Sequence, residues 1–197
     1  MSYYDIDAIL TDAEKIPCEF NFEIPDLGHL DNNPAHPLKA GTKLALPLWL
    51  AEMLALANTS GPGTAEEDSK SFVNLSLPPA LSNEVSQALK ADPRAVPLRN
   101  QSPHFYSLAT RLMDLFEERE LDSVLRRTFV MRAADIALHA RKGTGGAGAG
   151  KEDASNLGMS DGGEFLKGLD EWERKLFRKA HDGTKAGKAW MENVNKH

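Results

Sequence analysis

The segment Gly145 to Glu152, GGAGAGKE, carries the glycine spacing that precedes the lysine of a phosphate-binding loop, with Lys151 in the lysine's place. In such a loop backbone amides cradle the phosphates, the lysine reaches their outer oxygens, and the Ser or Thr that follows ligates magnesium. Here Glu152 stands in that last position and would repel phosphate, and the preceding pattern is helical where a strand is required. The segment reads as a glycine linker, and nucleotide binding through it is disfavoured by its own residue types. The histidines offer no zinc spacing: His29 and His36 lie in a Pro/Asn-rich stretch, and His104, His139, His181 and His197 are isolated. His104, in SPHFY, sits where a first helical turn packs or hydrogen-bonds. Glu117, Glu118, Glu120 and Asp122 read as a solvated turn between helices, not an acid/base pair, and no G-x-S-x-G orients a serine. Cys18 is the single cysteine, which excludes an internal disulfide and a cysteine zinc cluster and leaves a small buried hydrophobe. The chain therefore reads as non-catalytic, with no cofactor and no metal.

Composition narrows the partners. A net charge of −6 over 197 residues opposes a general grip on nucleic-acid phosphate, so any DNA contact is expected to be indirect or weak. The acidic start, MSYYDIDAILTDAEK, has no basic stretch followed by an apolar core, so an intracellular protein is expected, and the sequons at Asn58, Asn74 and Asn100 become coincidences. The apolar run Leu44 to Ala57 carries one charge, Glu52. It is shorter than the roughly 20 residues a membrane span needs, so no membrane is implied and a helix buried on several sides is expected.

The elements that must position these residues follow from periodicity. Ile6, Ile9, Leu10 and Ala13 recur at helical spacing behind a capping Asp5. Cys18, Phe20, Phe22 and Ile24 alternate with polar residues as in a half-buried strand, and Lys43 to Leu46 offers a second one. Residues 1–46 are thus expected to form a small β-containing domain, and 47–197 a helical one. Pro47 suits the first turn of a helix, with Trp49, Leu50 and Met53 expected in a core at the domain junction. A polar loop, Asn58 to Lys70, and the strand-like SFVNLSL precede a helix over about 79–91 that Asp92-Pro93 ends. Ser102 and Pro103 start a helix with Phe105, Leu108, Leu112, Leu115 and Phe116 inward. The next, Leu121 to about Arg141, bears two apolar stripes: Leu121, Val124, Leu125, Thr128, Met131 and Leu138 on one side, Phe129, Val130, Ala133 and Ala137 on the other. Residues 142–163 are linker-like, and a last helix, capped by Asp161 and Glu164, is expected to turn Phe165, Leu169, Trp172, Leu176 and Ala180 inward and to fray beyond Asp182-Gly183.

Two stripes on one helix, with Trp49 and the aromatics of the last helix, exceed what one chain of short elements can cover. Such a surplus marks a subunit of an assembly. Phe105, Tyr106, Phe129 and Arg132 are the expected partner-interface anchors, being aromatics and an arginine on the two helices richest in apolar residues. A free-standing helical adaptor, soluble as a monomer, is the alternative.

Four segments, DAILTDAEKIPCEF, GTKLALPLWLAEML, ADPRAVPLRNQSPHFYSLATRL and LDEWERKLFRKA, occur in an order that resembles the family of the third "partner of Sld five" subunit of the eukaryotic GINS complex. The likeness spans most of the chain and is carried best by LPLWLA and SPHFY. It implies a mainly α protein, a small N-terminal β-rich domain followed by an α-helical bundle domain. It also implies a nuclear scaffold within a heterotetramer with three other GINS subunits, joined to Cdc45 and the MCM ring in the replicative helicase of DNA replication. The loop Asn58 to Lys70 and the glycine linker depart from the family pattern and inherit no role.

Overall fold

The computed structural model describes residues 4–57, 71–116, 118–142 and 165–194. The loop expected at 58–70, Glu117, and the linker beyond Lys142 with its Lys151 and the Asp161/Glu164 cap lie outside them. The chain divides into two compact units, Met1–Ser82 and Asn83–His197.

The first unit opens with helix α1 (Ile6–Asp12), whose N-cap Asp5 accepts a hydrogen bond from the amide of Asp7 at 3.2 Å, as its position before an apolar repeat leads one to expect. Strand β1 (Lys15–Phe20) turns Ile16, Cys18 and Phe20 inward, the two-residue period of a strand with one buried face. It stops at Phe20. The expected continuation to Ile24 is replaced by a turn and a single bridge between Ile24 and Leu38, because the chain must swing away to form the short 3-10 turn Gly28–Asp31. Gly28 is required there: a Cβ would fall 1.8 Å from the His36 carbonyl oxygen and 2.3 Å from that of Asn33. Strand β2 (Lys43–Pro47) and, further along the chain, β3 (Val73–Leu75) both pair antiparallel with β1, giving the order β2-β1-β3.

Helix α2 (Leu48–Leu56) follows β2 without a break, its first amide bonding to the Glu14 carbonyl at 2.8 Å, and it packs on the sheet. It therefore belongs to the first unit, and the compact boundary falls at Ser82/Asn83 and not at the expected 46/47. Its burial also differs from expectation. Leu48 and Ala51 are buried and Leu50 is half-buried, but Trp49 is 49% and Met53 62% exposed. A helix lying on a three-stranded sheet buries one stripe, and covering an all-round apolar helix takes a second surface.

The second unit is helical. A 3-10 turn at Pro79–Leu81 ends the first unit, and α3 (Asn83–Ala91) begins separately, so the expected helix over 79–91 is interrupted at Ser82. The short α4 (Leu98–Gln101) follows, with Leu98 buried. Helix α5 (Phe105–Met113) starts later than Ser102-Pro103 suggest, because the Ser102 hydroxyl accepts from the His104 amide at 3.2 Å and forms a turn ahead of the helix. Helix α6 (Arg119–Lys142) runs as its long period demands, with Leu121, Val124, Leu125, Thr128, Arg132, Ile136 and Ala140 buried along one stripe. Leu138, expected there, is 51% exposed, and Ile136 occupies the inward position. The last expected helix is two pieces. A turn at 165–167 is followed by Leu169 and Asp170, and then α7 (Glu171–Val194) continues through Gly183 and Gly187. Each glycine costs about 1 kcal/mol against alanine, and the helix-forming Lys and Ala around them tolerate it.

Candidate interaction site

Charged residues sit within the apolar inner stripes of two neighbouring helices, Arg132 between Thr128 and Ile136 on α6 and Glu173 between Leu169 and Leu176 near the start of α7. Their spacing aims each at the partner helix. Arg132 Nε donates to Glu173 Oε1 at 2.6 Å and Nη2 donates to Oε2 at 2.9 Å, a bidentate pair. The remaining N–H groups donate to carbonyls, Nη1 to Pro93 at 3.0 Å and Val96 at 2.9 Å, Nη2 to Gly168 at 3.4 Å. One side chain thus ties α6 to the loop before α4, to the turn before α7 and to α7 itself. Arg132 is 6% exposed and Glu173 is fully buried.

The acceptors are equally committed. Glu173 Oε1 also accepts from the Tyr106 hydroxyl at 3.2 Å, and Oε2 from the Asp170 amide at 3.2 Å. Asp170, fully buried, caps α7, accepting from the Glu171 amide and from the Tyr106 amide at 3.4 Å. Burial pushes its carboxyl up to about 7, opposed by the amides of Tyr106, Glu171 and Trp172. Tyr106 is raised above the ordinary phenol by burial and then by the Glu173 charge. Burial lowers Arg132, but hydrogen bonds and charge from Glu173 outweigh it and the guanidinium is held above its usual value.

Beside this network a groove of about 310 Å³ opens, lined by Tyr106, Ala109, Met113, Leu125, Phe129 and Trp172 among others. Tyr106 is its floor, edge-on to Phe129 at 5.4 Å and stacked on Trp172 at 6.2 Å. Phe129 is half-buried and Trp172 is 41% exposed.

Of the four expected interface anchors, Phe105 is fully buried, Tyr106 is 5% exposed and Arg132 is 6% exposed, so all three hold their own unit together and present almost no surface to a partner. They are corrected to internal roles because α5 is sandwiched tightly enough to bury five residues of nine, and because a guanidinium saturated by five internal hydrogen bonds has no N–H left for another chain. Only Phe129 retains an accessible face. Trp172, expected inward, flanks the groove, while Glu173 takes the inner position. A charge of opposite sign interrupting the inner stripe of each of two helices was the signal that could have found the pair.

The other chemical candidates fall apart in space. His104 is buried with Nδ1 unpartnered, and His139 stacks on Phe165 at 4.1 Å. Glu120 pairs with Lys90, whose hydrogen bond and charge hold its carboxyl below the usual value, and Asp122 pairs with Arg126 at 2.8 Å. Cys18 is buried in the first unit, and burial pushes its thiol up. Among the described residues no group of three His, Cys, Asp or Glu could hold a metal, and no helix is long and apolar enough to cross a membrane.

Two family models match the chain, one falling in the first unit and the other almost entirely in the second. The PSF3 N-terminal domain matches residues 4–56, and the GINS complex protein helical bundle domain matches residues 80–192. The chain is 63% identical to the DNA replication complex GINS protein psf3 of Neurospora crassa over the whole of both chains. It is 56% identical to the protein of that name from Gibberella zeae, over 100% of this chain and 99% of the relative, and 38% identical to that of Saccharomyces cerevisiae, over 97% and 98%. The chain belongs to the Psf3 family of GINS subunits and has a role in DNA replication as a subunit of that complex.

Proposed function

We propose that the chain is a non-catalytic scaffold: one subunit of the GINS heterotetramer, bound to the three other GINS subunits and, through the assembled complex, to Cdc45 and the MCM ring of the replicative helicase in the nucleus. One observation carries the scaffold role. Val130 and Leu138 are more than half exposed on α6, whose inner stripe is already packed, and Trp190, Met191 and Val194 are more than half exposed on the last turns of α7, where no side chain from 185 to 194 is buried. Apolar surface of that kind is covered by protein in a working assembly. The net charge of −6 supports at most an indirect or weak contact with DNA.

Within the second unit, Phe129 with Val130 and Leu138 replaces the buried residues as the anchor set for the sister subunits. Co-expression with the three sisters followed by size-exclusion chromatography tests the scaffold: a single peak containing all four chains is expected. Recovery of this chain as a monomer beside the other three would return it to the free-standing adaptor. Phe129→Ala is expected to weaken capture of the sisters while the isolated chain stays helical by circular dichroism.

A further inference from the structure

Three arginines meet near the start of α7 with one carboxylate among them. Glu171, Arg174 and Arg178 follow at three- and four-residue spacing, so they share a face of the helix. Arg99 comes to that face from α4, its amide donating to the Gly168 carbonyl at 3.4 Å just ahead of α7. Glu171 is stretched between two of the three: its Oε2 lies 3.7 Å from Arg99 Nη1, and its Oε1 accepts from Arg178 Nη2 at 3.4 Å. Arg174 Nη2 donates to the Leu166 carbonyl at 3.1 Å. The other acids here are committed inward, Glu173 to Arg132 and Asp170 to the amides of Tyr106 and Glu171. Two N–H groups are left over, for Arg99 Nη1 and Arg174 Nε are shielded from solvent and have no hydrogen-bond partner. A buried donor left unmet costs its full desolvation, more so when it is charged, and each such group calls for an explanation. Burial, and then the charge of Arg99, holds the Arg174 guanidinium below its usual value, with Arg178 adding to the effect and Glu171 opposing it.

We infer that Arg99, Arg174 and Arg178 form a binding site for a phosphate dianion, free or as a monoester. Three guanidinium charges against the one carboxylate of Glu171 leave two in excess, in a chain that is acidic as a whole. A phosphate group carries close to two negative charges at neutral pH, whereas a carboxylate would leave half the excess unbalanced. Its several oxygens take N–H groups from more than one guanidinium fork at once, the geometry that suits arginine better than lysine. A phosphate that replaces Glu171 as the acceptor for Arg99 and Arg178 gives the two unmet N–H groups an oxygen as these side chains shift. Arg178, 64% exposed and held by a long contact, has the freedom to do so. The site is additional to the scaffold role and independent of it.

The test is calorimetric titration of inorganic phosphate into the full chain, above the second ionisation of phosphate and at fixed ionic strength. Saturable binding of one phosphate per chain is expected. Arg174→Gln and Arg178→Gln should each weaken it at least about tenfold, the worth of one hydrogen bond between charged groups. Arg126→Gln, which removes the same charge from α6, should leave it unchanged. Arg178→Gln keeps the test clear of folding: the side chain is largely exposed and its loss relieves like-charge crowding, so the melting midpoint without phosphate should not fall. The gain in midpoint that phosphate gives wild type should shrink in that variant. Absence of binding, or unchanged affinity in both variants, would overturn the inference. An equal response to chloride or acetate would reduce the effect to screening and overturn it too. N-acetyl-phosphoserine amide, titrated alongside, separates the two sources: a tenfold preference for it assigns the group to a phosphorylated peptide, and equal or weaker binding assigns it to the free ion. Loss of phosphate binding in the co-purified complex with the three sister subunits would assign these arginines to a subunit contact and overturn the inference.

Discussion

Truncating Arg132 to alanine isolates the largest single polar contribution to the second unit. The substitution removes five hydrogen bonds and leaves the carboxylate of Glu173 fully buried with only the Tyr106 hydroxyl and the Asp170 amide as donors. Breaking a buried ion pair from one side costs about 3 to 5 kcal/mol, because the remaining charge has no compensation. Against a typical total of roughly 5 to 15 kcal/mol, that is about a fifth of the stability or more. Arg132→Lys, which keeps the charge but not the fork, should fall between alanine and wild type. The double variant Arg132→Met, Glu173→Leu removes both charges and should recover at least half the loss of the single one, although the carbonyls of Pro93 and Val96 lose their donors. Urea denaturation followed by far-ultraviolet circular dichroism measures these proteins together with the single variants Arg132→Met and Glu173→Leu, the helical unit supplying most of the signal. A cost under about 1 kcal/mol for Arg132→Ala, the scale of a solvated surface pair, would refute the burial argument. So would a double variant whose loss equals the sum of the singles, since two groups in contact must couple.

Three further outcomes follow from particular residues. Burial raises Asp170 from 3.8 to about 7, so between those values the folded chain keeps a proton that the unfolded chain has released; stability should fall as pH rises through this window and level off above it. Asp170→Asn, which keeps an oxygen to cap α7, should flatten the decline in urea midpoint between about pH 4 and about pH 7. Gly28→Ala should destabilise the first unit by about 3 kcal/mol, the upper end of overpacking costs, because the intruding atom meets backbone that cannot rotate away; thermal melts would show it. Trp49→Ala should cost the isolated chain only about 1 kcal/mol, well below the roughly 3 to 5 of a buried aromatic, and show its main effect in the assembled complex, as parallel melts of the two states would reveal.

Local pattern made much of the fold legible. Asp5 before Ile6, the alternation through Cys18 and Phe20, and the sustained period from Leu121 to Arg141 each reports a physical requirement confined to a few turns of chain. What stayed hidden depends on distant partners. Trp49 and Met53 are as apolar as any core residue, and hydrophobicity states that a side chain needs cover without saying whether its own chain or another supplies it. Arg132 finds its carboxylate 41 residues away, on a helix whose start shifts to Glu171 because Asp170 caps it from inside the unit. That an arginine on an apolar stripe is an internal tie and not an interface anchor is decided by that pairing alone.

The placement of β1 between β2 and β3 sets a practical limit on dissecting this molecule. Family similarity for the first domain ends at residue 56, yet the strand that completes its sheet is Val73–Leu75. A fragment cut at the end of α2 would strip the partner from Cys18, Glu19 and Phe20 and expose a fresh row of backbone donors and acceptors along β1, an invitation to aggregate. Ending the fragment at Ser82 keeps β3 paired with β1 and leaves the first compact unit whole.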